Sequence, residues 1–281
     1  HTYTFDLTAA SLPSTVILNI PAGAATDGSD NTAAFTTIID HRWPDVSNIS
    51  NLLIWMDGND LDGNGLSDGL SANDPVNSWT DKAGNGYNFT GKRGDPSFNT
   101  HANGKGVVYF DGNDALWTDK VVHPNVPNFS MFSVARWTAT GNNDCRRVIS
   151  DKENWNWIHA YHDKQYKRGF HYNGWIGGAA GGGKSQEWHM HIATINDSDQ
   201  GNAWVDASRW GAVNHNGANN SNYQPKKIQF GGWKGSSEFS KCEVAEFLMF
   251  DRVLTEAERL EVEGYLAHKW GMSSKLDGHA W

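Results

Sequence analysis

The chain has 281 residues, enough to bury a substantial core, and its 32 acidic side chains outnumber its 23 basic ones, for a formal net charge of −9. That balance argues against nucleic acid, which needs a basic face, and against anionic membrane surfaces. No apolar run approaches the ~20 residues of a membrane span. The chain opens on His1 without a basic-then-apolar leader, so either a signal has been removed or the sequence is a domain of a larger multidomain chain.

Residues 1–45 are rich in Ala, Thr and Ser and contain one strand-like run, Thr15–Ile20; they read as an N-terminal extension or a strand added to a main domain over 46–281. Short strand patterns then recur between Gly, Asn and Asp clusters. They fall at Leu52–Met56, Val107–Phe110, Met131–Trp137, Arg147–Ile149, Trp157–His162, Gly169–Tyr172, His189–Ile195, Asn202–Asp206, Lys227–Phe230 and Glu243–Phe250. In Met131–Trp137 the side chains alternate, with Phe132, Val134 and Arg136 opposite Met131, Ser133, Ala135 and Trp137. His189–Ile195 and Glu243–Phe250 are apolar at most positions, as strands covered on both faces would be. One helix is predicted over Thr255–Trp270, opened by the capping box Thr255-Glu256-Ala257-Glu258 and stopped by Gly271. The pattern predicts an all-β fold, a two-sheet antiparallel β-sandwich with one short C-terminal helix.

The sharpest chemical signal is Asp60-Leu61-Asp62-Gly63-Asn64-Gly65-Leu66-Ser67-Asp68. Calcium takes six to eight hard oxygens, and Asp60, Asp62 and Asn64 offer them on alternate residues. Gly65 permits a turn that would present the Leu66 carbonyl, and Asp68 closes the ring. Position twelve of the loop is Ser71 rather than Glu, so a further ligand would come from Asp57 or Asp74. The bland alternative is a solvated acidic turn. Asp111-Gly112-Asn113-Asp114 reads as a hairpin turn.

A sugar-binding face needs flat aromatic rings with amides and carboxylates around them. Among the 14 tryptophans the densest group is Trp155, Trp157, His159, Tyr161 and Trp175; strand alternation would set the first four on one face, although core packing is the competing explanation for any one ring. Trp188, Trp210 and Trp233 are secondary candidates. His189 and His191 stand two apart on a strand, but no H-E-x-x-H order supports a transition metal. Gly183-Lys184-Ser185 imitates the end of a phosphate loop without its earlier glycine. Cys145 and Cys242 make one disulfide or two free thiols, with the disulfide expected in an oxidising compartment; no C-x-x-C is present.

Three stretches together resemble the laminin-G-like, concanavalin-A-like jelly-roll modules of bacterial surface and secreted proteins. They are Leu53-Ile54-Trp55-Met56-Asp57 with the later Trp79-Thr80-Asp81-Lys82-Ala83-Gly84-Asn85-Gly86; Val107-Val108-Tyr109-Phe110-Asp111-Gly112-Asn113-Asp114-Ala115-Leu116; and Val244–Leu254 leading into the helix. The resemblance covers about residues 50–272. It implies a two-sheet jelly roll, frequent calcium and a role in binding carbohydrate or protein, at a cell surface or outside the cell. A calcium-binding, glycan-binding adhesive module is therefore the expected function; a structural or protein-binding module and a polysaccharide-active enzyme are the alternatives. No paired-carboxylate strand and no G-x-S-x-G elbow supports the enzyme. Glu153, Glu187 and Glu238 stand alone, and simple alternation sets Glu243 and Glu246 on opposite faces.

Overall fold

The computed structural model describes residues 14–20 and 35–41 in their main chain, and 45–101, 103–122, 128–162, 169–172, 174–177, 183–196, 200–214 and 225–276. β1 (Ser14–Ile20) and β2 (Phe35–His41) pair antiparallel as a ribbon of their own. The body is made of β3 (Leu52–Asp57), β4 (Phe89–Arg93), β5 (Ser97–Thr100), β6 (Gly106–Asp111), β7 (Ala115–Thr118), β8 (Phe129–Trp137), β9 (Ile149–Asp151), β10 (His189–Ile195), β11 (Gln200–Val205), β12 (Ser208–Asn214), β13 (Ile228–Phe230), β14 (Lys241–Phe250) and the helix α1 (Glu256–Lys269). Eight strands form one antiparallel sheet in the order β12-β11-β10-β8-β14-β6-β5, with β3 pairing the second half of β14. β4-β7-β13-β9 form the second sheet. The expected sandwich with one C-terminal helix is therefore the fold.

The larger sheet is covered on both faces, and alternation decides which side chain goes where. Met131, Ala135, Trp137, Ala193, Ile195, Val244, Phe247 and Met249 meet Phe89, Leu116, Ile149, Ile228 and Phe230 of the smaller sheet in the sandwich core. Phe132, Val134, Met190, Ile192, Leu248 and Phe250 point the other way, onto Val262, Tyr265, Leu266 and Trp270 of the helix layer. This two-sided cover explains why β10 and most of β14 are buried at every position.

β14 holds one irregularity with consequences. Its pairing with β8 skips a residue between Val244 and Glu246, leaving Ala245 as a bulge. Val244 and Phe247 thus both face the sandwich core, and Glu243 and Glu246 both face outward, against the expectation from simple alternation. The carbonyl of Ala245 accepts from Gly58 N at 2.8 Å. A Cβ at Gly58 would lie 2.8 Å from that same oxygen, so only glycine fits there.

The helix begins as its sequence requires. Thr255 Oγ1 accepts from Glu258 N, and Glu258 Oε2 accepts from Thr255 N, completing the capping box. At its end Gly271 takes a positive φ of 67°. Met272 N donates to Ala267 O and Gly271 N to His268 O, a Schellman stop.

Several expectations need correction. Trp157–His162 and Gly169–Tyr172 are not strands: they contribute isolated bridges, Ile149 to His159 and Ile158 to His171, and Ala160 has a φ of 86°. Asp111–Asp114 is not a hairpin turn, because β6 lies in the larger sheet and β7 in the smaller; the turn carries the chain between layers. Asp114 holds it by accepting from Asp111 N and Asp95 N. The Cys145–Cys242 disulfide is not formed: both are buried free thiols, and Cys145 Sγ donates to Ala139 O at 2.9 Å. Burial pushes both thiols above their ordinary pKa.

Candidate functional site

The residues that carry the family resemblance hold the fold rather than a ligand. Trp79 is fully buried and its Nε1 donates to Asp57 O. The Asp81 carboxylate accepts from the backbone N–H groups of Trp55, Ala83, Asn85 and Tyr87, which winds the 81–87 turn around it. Below this turn lies a buried charge network. Glu246 Oε1 accepts from Trp55 Nε1 and Tyr265 Oη, and Oε2 from Trp270 Nε1 and Lys269 Nζ, at 2.6–2.9 Å. Lys269 also reaches Asp57 Oδ2 at 2.7 Å. Burial raises the pKa of Glu246, whereas Asp57, despite the same desolvation, is held below its usual range by Lys269 and Lys82. Glu243 is also sealed, between Arg136 Nε at 2.6 Å and Asn99 Nδ2. The two carboxylates that the bulge turns onto one face are thus both neutralised and shut away from substrate.

The acidic loop joins this network. Asp60 Oδ2 pairs with Lys82 Nζ at 2.7 Å and accepts from Gly65 N at 2.9 Å. Asp62 accepts from Asn64 N and Nδ2, Asn64 Oδ1 from Leu66 N, and Asp68 from the N–H groups of Leu61 and Asp62. Gly63 and Gly65 take positive φ values of 73° and 89°. Asp60 Oδ1 is buried with no hydrogen-bond partner, the single oxygen of the loop left in that state among the described residues. Yet no three His, Cys, Asp or Glu side chains among the described residues form a metal-holding group, and Lys82 already supplies a positive charge. The loop fits a calcium ion in part: one buried oxygen has no hydrogen-bond partner, while the other carboxylate oxygens are engaged by backbone N–H groups, the Asn64 amide and Lys82. Asp74 is turned away from it, accepting from Ser71 N.

The aromatic group expected to bind sugar is divided. Trp157, His159 and Tyr161 are fully buried and belong to the sandwich core. The reason is geometric. The smaller sheet has half as many strands as the larger, and the described segments 155–162, 169–172 and 174–177 continue its layer past β9 through the bridges of Ile149 to His159, Ile158 to His171 and His171 to Trp175. Trp157 Nε1 donates to Asp151 Oδ2, Tyr161 Oη to Ala135 O, and His159 Nδ1 lies 2.8 Å from Tyr172 Oη. Burial drives the His159 pKa down to about 3. Trp155 and Trp175 are half-buried and separate: the Lys226 ammonium lies over Trp155 at 4.9 Å, and Trp175 sits between His162 and His171 at 4.8 and 4.9 Å. Trp233 carries Arg147 and Lys234 on its ring at 4.1 and 3.9 Å. Five rings do not make one face.

Two grooves open instead on the outer face of the larger sheet, one at each end of α1. The first, about 310 Å³, lies where β10–β12 meet the start of the helix and is lined by Thr194, Asn202, Trp204, Arg209, Glu256 and Arg259, among others. Trp204 is half-buried, with the Arg259 guanidinium 4.5 Å from its ring centre. Arg209 donates to Asn202 Oδ1 at 2.7 Å. The second, about 400 Å³, lies beyond the end of the helix between His101, Trp188, Trp270, Met272 and Lys275. Trp188 was a secondary sequence candidate; Trp204 was missed. Its neighbours Ala203 and Val205 are core residues, so alternation alone marks Trp204 as outward-facing, but only knowledge of where the helix ends marks it as uncovered.

No protein-family model matches the sequence, and no curated protein is significantly similar to it. Solved structures are similar in fold. An arabinofuranosidase complexed with arabinofuranosyl-α-1,2-xylobiose matches at 12% identity with a TM-score of 0.55, over 79% of this chain and 60% of that one. A Trypanosoma rangeli sialidase gives 13% and 0.48 over 89% and 36%, and the receptor-binding domain of a botulinum neurotoxin C/D mosaic gives 12% and 0.49 over 78% and 51%. The chain thus spans about 60% of the arabinofuranosidase. The likeness to that enzyme is one of β-sandwich fold.

Proposed function

We propose that the chain is an extracellular carbohydrate-binding β-sandwich of the laminin-G/concanavalin-A-like type, adhesive in role and part of a larger protein, that seats a saccharide on Trp204. The observation that carries this reading is the groove at the start of α1: a half-exposed indole ringed by an amide, a hydroxyl, two guanidinium groups and a carboxylate. The apolar face of a pyranose or furanose stacks on the indole, while Asn202, Arg209 and Glu256 meet its hydroxyls. Arg259 anchors the far side of the ring and is itself tied to Glu263. The volume suits one or two sugar residues. The arabinofuranosidase of similar fold, whose structure holds an arabinofuranosyl saccharide, is in keeping with this ligand class. A glycan array followed by calorimetry tests it. Trp204→Ala should bind its best glycan at least about tenfold more weakly, a loss of about 1.4 kcal/mol. Equal binding by the variant removes the groove from the reading.

We further propose that the acidic loop takes calcium, with Asp60, Asp62, Asn64, Asp68 and the Leu66 carbonyl as its oxygens. The partnerless Asp60 Oδ1 supports this. At a hundredfold excess over its Kd the ion would add about 2.7 kcal/mol to stability. Melting should then rise by about 5 °C over the chelated protein. A melt indifferent to chelator discards the ion and leaves the saccharide groove untouched.

A further inference from the structure

The second groove lies beside a hydrogen-bonded chain that neither reading above uses. Ser185 Oγ lies 3.0 Å from His189 Nε2, and His189 Nδ1 lies 2.6 Å from Asp206 Oδ2. The order of atoms is that of a nucleophile, a general base and an orienting carboxylate. Asp206 fixes the imidazole with its proton on Nδ1, which leaves the Nε2 lone pair for the serine hydroxyl. Glu187 N donates to Ser185 Oγ at 3.1 Å, so the hydroxyl proton is directed to the ring.

Local structure holds the three residues in place. His189 begins β10 and is 1% exposed. Asp206 and Ala207 join β11 to β12 with φ values of 51° and 63°, a left-handed pair that is strained for a residue with a Cβ such as Ala207. That turn brings the Asp206 carboxylate against β10, where Oδ1 accepts from Met190 N at 3.0 Å. Lys275 Nζ approaches Asp206 Oδ2 at 3.2 Å. Although burial opposes ionisation, the hydrogen bond from His189 and the ammonium of Lys275 hold the Asp206 pKa down at about 2. Ser185, by contrast, is half-exposed at the surface. Glu187 and Lys275, which touch this chain of residues, also line the 400 Å³ groove with Trp188 and Met272. Ser185 precedes the lining residues Glu187 and Trp188 by two and three positions, which sets the nucleophile beside the groove.

We propose that Ser185, His189 and Asp206 form an acyl-transfer site that hydrolyses small carboxylic esters whose alcohol portion lies in the groove against Trp188. Ser185 Oγ adds to the ester carbonyl as its proton passes to His189 Nε2. The bond to the leaving oxygen breaks, that oxygen takes the proton from Nε2 and departs as the alcohol, and an acyl ester remains on Ser185. Water then adds to the acyl carbon, giving a proton to Nε2. The bond from Oγ to that carbon breaks, Oγ recovers the proton, and the carboxylic acid leaves.

The test uses the folded full chain, a fluorophosphonate probe with peptide mapping, and turnover of p-nitrophenyl acetate. One phosphonyl adduct is expected, on Ser185. Turnover should fall about a hundredfold or more in Ser185→Ala and in Asp206→Asn. Ser185→Ala should stay folded and melt within about 4 °C of the wild type, because it removes one hydrogen bond to His189 and no packed side chain. A folded wild-type protein that leaves Ser185 unlabelled, or a Ser185→Ala variant with undiminished turnover, overturns the proposal.

Discussion

The two faces of the eight-stranded sheet are both aromatic, but they are covered to different extents. On the inner face the smaller sheet and the described segments 155–162, 169–172 and 174–177 together close the layer, and Trp137, Trp157, Tyr161 and Phe170 are wholly buried. On the outer face the cover is a single helix of 14 residues, about 21 Å long by its rise. It seals Phe132, Leu248 and Phe250 beneath it and leaves Trp204 at one end and Trp188 at the other only partly covered. The lesson is that the availability of an aromatic ring depends on where its cover ends, more than on how many rings crowd a stretch of sequence.

That contrast predicts graded effects. Trp157→Ala should be the most damaging, costing about 3–5 kcal/mol in denaturant unfolding, because it empties a fully buried site and removes one of the hydrogen bonds to Asp151. A loss below about 1 kcal/mol would mean the inner face is not closed there. Glu246→Ala should cost about 3 kcal/mol, because it removes the shared acceptor of Trp55, Tyr265 and Trp270 and leaves Lys269 with Asp57 alone of its two carboxylates. Glu246→Gln, which keeps one acceptor oxygen, should cost less; an equal cost would assign the loss to the missing charge beside Lys269 rather than to the lost hydrogen bonds.

Acid should act on the inner face through His159. Its folded pKa of about 3 lies below an unfolded value of about 6.5, so between those limits the unfolded chain binds the extra proton. The stabilising contribution is complete above pH 6.5 and is lost as pH falls toward 3. Going from pH 7 to pH 5 should cost about 2 kcal/mol from this group. His159→Gln should flatten that slope; an unchanged slope would assign the acid sensitivity elsewhere. The smallest effect on stability belongs to the outer face. Trp188→Ala should cost less than half of what Trp157→Ala costs, since Trp188 is already half-exposed. An equal cost would erase the distinction between the faces.

Much of the fold is legible in the sequence because its signals are local. Thr255 and Glu258 cap the helix with atoms three residues apart, and alternation over Met131–Trp137 assigns each side chain its face. The strands at Phe35–His41, Phe89–Arg93, Ser97–Thr100, Ala115–Thr118 and Ser208–Asn214 are harder to read, since glycine and polar residues blur their period. The Ala245 bulge is invisible locally, yet it reverses the face of everything after it in β14.

The sequence by itself determined the class of fold, the helix with both of its ends, and the turn-forming chemistry of the acidic loop, because each depends on residues within a few positions of one another. Tertiary structure alone decided that Trp157, His159 and Tyr161 are core, that Cys145 and Cys242 remain thiols, and that Trp204 lies in a groove. It alone brought Ser185 and Asp206 to opposite sides of His189. These outcomes depend on how far one layer extends over another, a distance that no local pattern encodes.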